Sequence, residues 1–489
     1  MFQEQTLYRY LYETLVRKIK SGEFHQIRKL PSQKQLCKQY NVGITTVRRV
    51  MQLLQKEGYI QCESGQPAAV VYTASEMEYA AALIARKEEI NDAFQGLGLL
   101  LPQLYREAVK YVRESDKATM RRAIDEIQED MPTHLLYRQS NLFLTTLIQV
   151  FNNPLLMDLE LDSENFLHVP YLPFAHHTDP FYRTPSHMKS WLSSVFDCIQ
   201  NNQEELLYTK IASTYQHSSC RVIAYLEALE KQLDFVPAES EKSIRWFHIK
   251  DRSELYAHLA MRILRRIRKK EFSEQKYIPS IPRIMKEYGV MKETASRCIA
   301  LLNSLGITRT LNKKGTIVLP DAPQMQSGRN NLNDPIIKQR ILYCLDALQL
   351  LAVSLHCGIP FDMAEVKVFS RDLQDVLQNA SFDKKYALII QLSMDFIIQS
   401  VPTHSLKNIF LQLNDLLVWG YYLEPVDEAF YSDSKETQEA VQRLLNELEK
   451  ETVENISAAL QCVFLQIYRD IYHVILRLPY NFTPMPLLL

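Results

Sequence analysis

A shift of 248 residues lays one stretch of this chain on another without a gap. Leu7-Tyr8 falls on Leu255-Tyr256, Glu23-Phe24 on Glu271-Phe272, Pro31-Ser32 on Pro279-Ser280, Tyr40 on Tyr288, Val42 on Val290, Leu53-Leu54 on Leu301-Leu302 and Gly58 on Gly306. More sparsely, and at shifts near 250, Ile148-Gln149 matches Ile398-Gln399 and Phe181-Tyr182 matches Phe430-Tyr431. Such a repeat restricts the chain to folds that use one unit twice. At 489 residues there is room for three or four domains.

Charge follows the repeat. Residues 1 to 72 carry 11 Lys/Arg against 5 Asp/Glu, and residues 251 to 320 carry 15 against 6, while the rest of the chain carries 30 against 46. Two basic modules on an acidic body predict polyanion contact at two places. Only 12 glycines, with heavy use of Leu, Gln, Glu and Lys, argue for a mostly helical chain without Gly-rich phosphate loops. Gly96-Leu97-Gly98 lacks the third glycine, a preceding strand and a later acidic residue, so it is no dinucleotide fingerprint. The chain opens Met-Phe-Gln-Glu-Gln, without a leader, and Asp395, Lys407 and Asp415 break its richest apolar stretch. No membrane contact is expected. Eight dispersed cysteines without a CxxC pair predict small buried thiols and a cytoplasmic location.

Spacing supplies the elements. Thr6 to Lys20 is a helical pattern, Ser32 precedes a short helix to Tyr40, and Thr45 to Glu57 turns Val47, Val50, Met51 and Leu54 inward. Thr45, Thr46, Arg48, Arg49 and Gln52 then face outward. In the second module Ala295, Cys298, Ile299 and Leu302 turn inward, and Glu293, Thr294, Ser296, Arg297 and Ala300 outward. Strand pairs follow, Tyr59–Cys62 with Ala68–Tyr72 and Ile307–Leu311 with Thr316–Leu319. This is the order of a winged helix-turn-helix, whose third helix lies in the major groove. Residues 235 to 254 and 320 to 335 have linker composition. The segments between hold amphipathic stretches such as Glu436 to Glu449, with Ala440, Val441, Leu444, Leu445 and Leu448 on one face. The expected fold is mostly α: winged helices at 1–74 and 251–320, each followed by a bundle of about six helices, at 76–235 and 335–482, with a linker at 236–250.

Leu30-Pro31-Ser32-Gln33-Lys34-Gln35-Leu36, then Val42-Gly43-Ile44-Thr45-Thr46-Val47-Arg48 and Gln55-Lys56-Glu57-Gly58, resembles the signature of the GntR family of bacterial transcription regulators. The resemblance covers about 65 residues of each copy and is weaker in the second. It implies double-stranded DNA as partner, with Lys34, Thr45, Thr46 and Arg48 as contacts in copy one and Lys292, Thr294 and Arg297 in copy two. Ile44 stands where the family carries a base-reading Arg, and the wing tip after Glu63 lacks basic residues. Copy two has Lys292 at that place and a basic wing, Arg309 and Lys313-Lys314, but Glu293 and Ser296 where Thr and Arg are usual.

Phe143 to Leu156 is similar to a stretch of the FadR-like all-helical effector domain. That domain's metal ligands would fall on Ser140 and Leu144, which implies no metal here. His168, His176, His177, Asp179 and His187 are suitable ligand types without ligand spacing, and read as a polar loop. Tyr171, Phe181 and Tyr182, matched by Trp419, Tyr422 and Tyr431, are candidates either for an effector pocket or for packing of the two bundles. No catalytic pattern or cofactor motif is present, so no enzyme and no cofactor are expected. The reading is a DNA-binding regulator modulated by a small molecule, a monomeric pseudo-dimer on an asymmetric operator, with a homodimer as the other possible assembly. The competing class is a duplicated regulator that has lost DNA binding and acts as an interaction protein.

Overall fold

In the computed structural model the residues described are 7–20, 24, 28–40, 42–63, 66–73, 76–167, 184–233, 255–268, 271–272, 277–305, 307–319, 335–355, 361–379, 382–423, 435–450 and 453–478. Both expected linkers lie largely outside them. The chain is mostly α, as expected.

Helix α1 (Leu7–Lys20) ends in Arg17, Lys18 and Lys20, cations placed at the negative end of the helix dipole. Helix α2 (Gln33–Gln39) begins at a capping box: Ser32 Oγ accepts from the Gln35 N–H at 3.3 Å, and Gln35 Oε1 accepts from the Ser32 N–H at 2.8 Å. Helix α3 (Ile44–Lys56) buries Val47, Val50, Met51 and Leu54, the four positions its spacing predicts, and packs on α1 and α2. Gly58, at φ +79°, then turns the chain through a conformation that an L side chain resists. Strands β1 (Ile60–Gln61) and β2 (Ala69–Val70) are antiparallel and shorter than expected. The ladder ends because the Val71 and Tyr72 N–H groups both donate to the single carbonyl of Tyr59, at 3.1 and 3.2 Å.

Residues 255–318 pass through the same order: α11 (Leu255–Arg268), α12 (Ile281–Tyr288), α13 (Lys292–Ser304), β3 (Thr308–Leu311) and β4 (Gly315–Val318). The registers also agree. Thr308 opposite Val318 is the 248-residue counterpart of Ile60 opposite Val70, and the isolated bridge Tyr277–Ile317 is that of Lys29–Ala69. Ala295, Cys298, Ile299 and Leu302 are buried.

After β2 come α4 (Glu76–Ile84), α5 (Lys87–Ala108), α6 (Glu114–Asp125), α7 (Thr133–Gln149), α8 (Pro154–Leu167), α9 (Pro185–Gln200) and α10 (Glu204–Leu233). This set has one helix more than expected, because the backbone leaves helical geometry at Arg86 (φ −101°, ψ 6°). Beyond β4 lie α14 (Pro335–Ser354), α15 (Met363–Asn379), α16 (Phe382–Ser400), α17 (His404–Leu416), α18 (Lys435–Lys450) and α19 (Val453–Arg477). Helices α5 to α10 and α14 to α19 correspond in order. Their packing corresponds too: α5 lies on α10 and α14 on α19, α6 on α7 and α15 on α16, α7 on α8 and α16 on α17.

The two sets meet reciprocally. α5 packs on α14, α8 on α14, and α17 on α5. Asn153, 1% exposed, caps α8 by accepting from the Leu155 and Leu156 N–H groups at 2.9 and 3.2 Å. Its amide donates to the Asp346 carbonyl at 2.9 Å and to Gln349 Oε1 at 2.8 Å, both on α14. In the counterpart contact, Asp92 of α5 accepts from the His404 and Ser405 N–H groups of α17 at 2.8 and 2.7 Å. Gly96 makes that approach possible, since a Cβ there would lie 2.2 Å from Ser405 Oγ. Gly98, one turn-half further along α5, lets Tyr215 of α10 close in.

Asp346 also sets an expected pH response. Burial pushes its carboxyl up to about 7, whereas an Asp in an unfolded chain titrates near about 3.9. The folded state therefore holds an extra proton between about pH 4 and 7, and the stability this group supplies is intact below that window and lost as pH rises through it. Asp346→Asn should leave the urea midpoint unchanged at pH 4 and raise it at pH 8.

The cysteine expectation holds in part. Cys198, Cys298 and Cys344 are buried, and burial pushes the last two thiols up to about 12. Cys62 and Cys220 are exposed, one at the end of β1 and one on the outer face of α10.

Candidate nucleic-acid interface

The apolar stripes of α3 and α13 dictate what these helices show to solvent. With Val47, Val50, Met51 and Leu54 turned in, Thr45, Arg48 and Arg49 are exposed and Thr46 is half-buried. On α13, Lys292 and Arg297 are exposed and Thr294 is half-buried. Lys34 is exposed on α2, in the first turn spanned by the capping box.

Neither α3 nor α13 has a side-chain cap. Gly43 and Met291 hold the N-cap positions in extended geometry and make no capping hydrogen bond. Their first N–H groups are thus open to an outside acceptor, and a phosphate oxygen suits both those donors and the positive end of the dipole. This is a feature that sequence reading passed over. Its signal was the absence of Ser, Thr, Asp or Asn at those two places.

Arg49 and Arg297 occupy corresponding positions and behave alike. The Arg49 guanidinium lies 4.1 Å from the centroid of the Tyr8 ring, and that of Arg297 lies 4.2 Å from the Tyr256 ring. Each is an exposed cation held at fixed height over its unit's first helix, suited to a phosphate contact.

The wings differ. Lys313 and Lys314 are exposed on the turn joining β3 to β4, Lys313 at φ +60°. In the first wing, Glu63, Gln66 and Pro67 are exposed between the strands. Exposed cations near that wing lie before α2, at Arg28 and Lys29, the latter bridged to Ala69 of β2.

The outward face of α3, its open N-terminus and the short wing belong to one stretch of chain, and that stretch, residues 7–70, matches the model of "Bacterial regulatory proteins, gntR family". Residues 7–70 are a GntR-family helix-turn-helix domain. Three solved structures resemble the chain: a Streptococcus agalactiae GntR protein (14% identity, TM-score 0.22, covering 44% of this chain and 99% of that one), Escherichia coli McbR/YncC (16%, 0.23, 47% and 99%), and a Listeria monocytogenes protein titled "Lar controls the expression of the Listeria monocytogenes agr system and mediates virulence" (17%, 0.19, 45% and 98%). No curated protein matches the chain.

The GntR domain and the later unit are anchored differently. The buried core of the GntR domain, from Leu11 to Val70, is closed on itself. That of residues 255–318 is continuous with both helical sets. Arg340, at the start of α14 and 4% exposed, donates to Tyr256 Oη and lies 4.6 Å from the Trp419 ring centroid. Trp419, expected in an aromatic loop, is 1% exposed on the 3-10 helix Leu417–Tyr422, where that guanidinium covers it. Its ring is enclosed among the described residues. Tyr422 is on the same 3-10 helix, and Tyr171, Phe181, Tyr182 and Tyr431 lie outside the described residues, as do His168, His176, His177 and Asp179. His187 is exposed, and its N–H donates to Thr184, the cap of α9.

Arg340→Ala should cost about 3 kcal/mol, from one desolvated cation–π contact and one charge-assisted hydrogen bond. Hydrogen exchange should then quicken in α11 and α13 and stay unchanged in α1 to α3.

Among the described residues, no three His, Cys, Asp or Glu side chains come together as metal ligands, and no helix is long and apolar enough to cross a membrane.

Proposed function

We propose that the chain is a sequence-specific transcription regulator in which two winged helix-turn-helix domains, 1–74 and 251–320, act as the halves of a pseudo-dimer on an asymmetric operator. The observation that carries this reading is the reciprocal packing of the helical sets, 76–235 and 335–482, through corresponding helices: α8 on α14 and α17 on α5, with α5 against α14. Self-matching contacts of this kind are what two subunits make across a twofold axis, and here both sides belong to one chain. The agreement of strand registers at a spacing of 248 supports a tandem duplication as its origin.

Double-stranded DNA is the partner that the open helix N-termini, the exposed Arg48 and Lys292 and the basic second wing suit. A small molecule bound in the helical sets would change the relative placement of the two DNA-binding units, and with it DNA affinity, by about 1–3 kcal/mol.

The mass of the purified protein at micromolar concentration tests the assembly, and selection of genomic fragments at near-physiological salt tests the activity. A monomer that enriches two unlike half-sites at fixed spacing is the expected result. A dimer overturns the pseudo-dimer. Retention without sequence enrichment, vanishing as salt rises, would leave only phosphate attraction and transfer the assignment to an interaction protein.

A further inference from the structure

The two recognition helices share part of their outward chemistry and differ in the rest. Thr46 and Thr294 are alike, and so are Arg49 and Arg297 on their tyrosines. These pairs orient each unit in the same way and carry no distinction between the two halves of a site. The distinction lies in the first turns, with Ile44 and Thr45 in α3 standing where α13 has Lys292 and Glu293, and at Arg48, whose counterpart is Ser296.

Ile44 is 38% exposed, a branched aliphatic side chain at the groove-entering end of a helix whose other outward residues are polar or charged. In the major groove the one apolar group on a base edge is the C5-methyl of thymine. Lys292 and Glu293 are both exposed. An ammonium donates only and matches guanine O6 and N7. A carboxylate accepts only, is repelled by phosphates, and finds its partner in the amino group of cytosine. Glu293 also offsets the positive end of α13, so that this helix depends less on phosphate at its start and more on its bases. The Lys313-Lys314 turn supplies backbone contact for that unit instead.

We infer that the two units read unlike base pairs: α3 places Ile44 against a thymine methyl, and α13 places Lys292 and Glu293 against a G·C step. This rests on the regulator reading above and specifies what each half-site contains.

The test uses the full chain and duplexes altered one atom group at a time. An operator is selected from a random library with the wild type, Ile44→Ala and Lys292→Ala, and the position each variant relaxes assigns the half-sites. Uracil then replaces thymine in the α3 half, which removes only the methyl, and 7-deazaguanine replaces guanine in the α13 half. Wild-type affinity should fall about fourfold for the lost methyl and about tenfold for the lost N7. Ile44→Ala should be insensitive to uracil, and Lys292→Ala to 7-deazaguanine. Two half-sites of the same sequence, or wild-type binding indifferent to both base changes, overturns this inference and leaves the regulator reading standing. Failure to enrich any sequence overturns the regulator reading, and this inference with it.

Discussion

Asn153→Leu should lower the stability of the chain by about 3–5 kcal/mol, the largest loss expected from any single side chain described here. Two effects add. The cap of α8 is lost, worth about 1 kcal/mol, and buried groups are left without partners, at about 1–3 kcal/mol each. Those groups are the Asp346 carbonyl and Gln349 Oε1 of α14. Asn153→Thr separates the two effects, because Thr403 caps α17 at the corresponding place by accepting from the Leu406 N–H. That variant should recover the cap and still lose the bonds to α14. Urea unfolding measures the totals, and hydrogen exchange locates them. Faster exchange in α8 alone would mean that the contact between helical sets carries little, and faster exchange in both α8 and α14 is the expected pattern.

Arg48→Ala should weaken operator binding about 5- to 150-fold, the loss of about 1–3 kcal/mol that a single guanidinium contact supplies. Arg48 is exposed on α3, and its counterpart on α13 is Ser296, so the loss should come from one half of the operator only. Scrambling the half-site read by α13 should therefore leave the ratio of wild-type to variant affinity unchanged. Fluorescence anisotropy on matched duplexes measures this, and a salt series says what Arg48 touches. A phosphate contact lowers the slope of log affinity against log salt by about one and weakens all sequences equally, whereas a base contact relaxes one position.

Much of the fold was legible in the sequence where one face of a helix repeats strictly. The inward sets of α3 and α13 are buried as read, and so are Ala440, Val441, Leu444, Leu445 and Leu448 of α18. Local pattern failed where an outcome depends on a distant partner. The wing strands end early because Tyr59 collects two N–H groups, a choice made in three dimensions. Gly96 and Gly98, which fail as a phosphate-binding loop, sit inside α5 as the gaps that admit α17 and α10. A glycine within a helical pattern costs about 1 kcal/mol against Ala, so a pair of them there was the available sign of close helix approach. Asp92 and Arg340 could not be read at all. They stand at corresponding positions with opposite charge, one receiving the start of α17 and the other holding Tyr256 and Trp419.

The reciprocal contact between helical sets has a kinetic and evolutionary side. In a dimer of identical chains a substitution at a twofold interface appears twice, and the assembly comes apart on dilution. Here α5 meets α14 within a single covalent chain, so the joint closes at a rate independent of concentration, and its two faces are free to change one at a time. On one side Asn153 stands opposite Gln349, and on the other Asp92 stands opposite Ser405. A protein so joined would occupy its targets in simple proportion to the number of copies in the cell, without the threshold that a dissociating pair imposes.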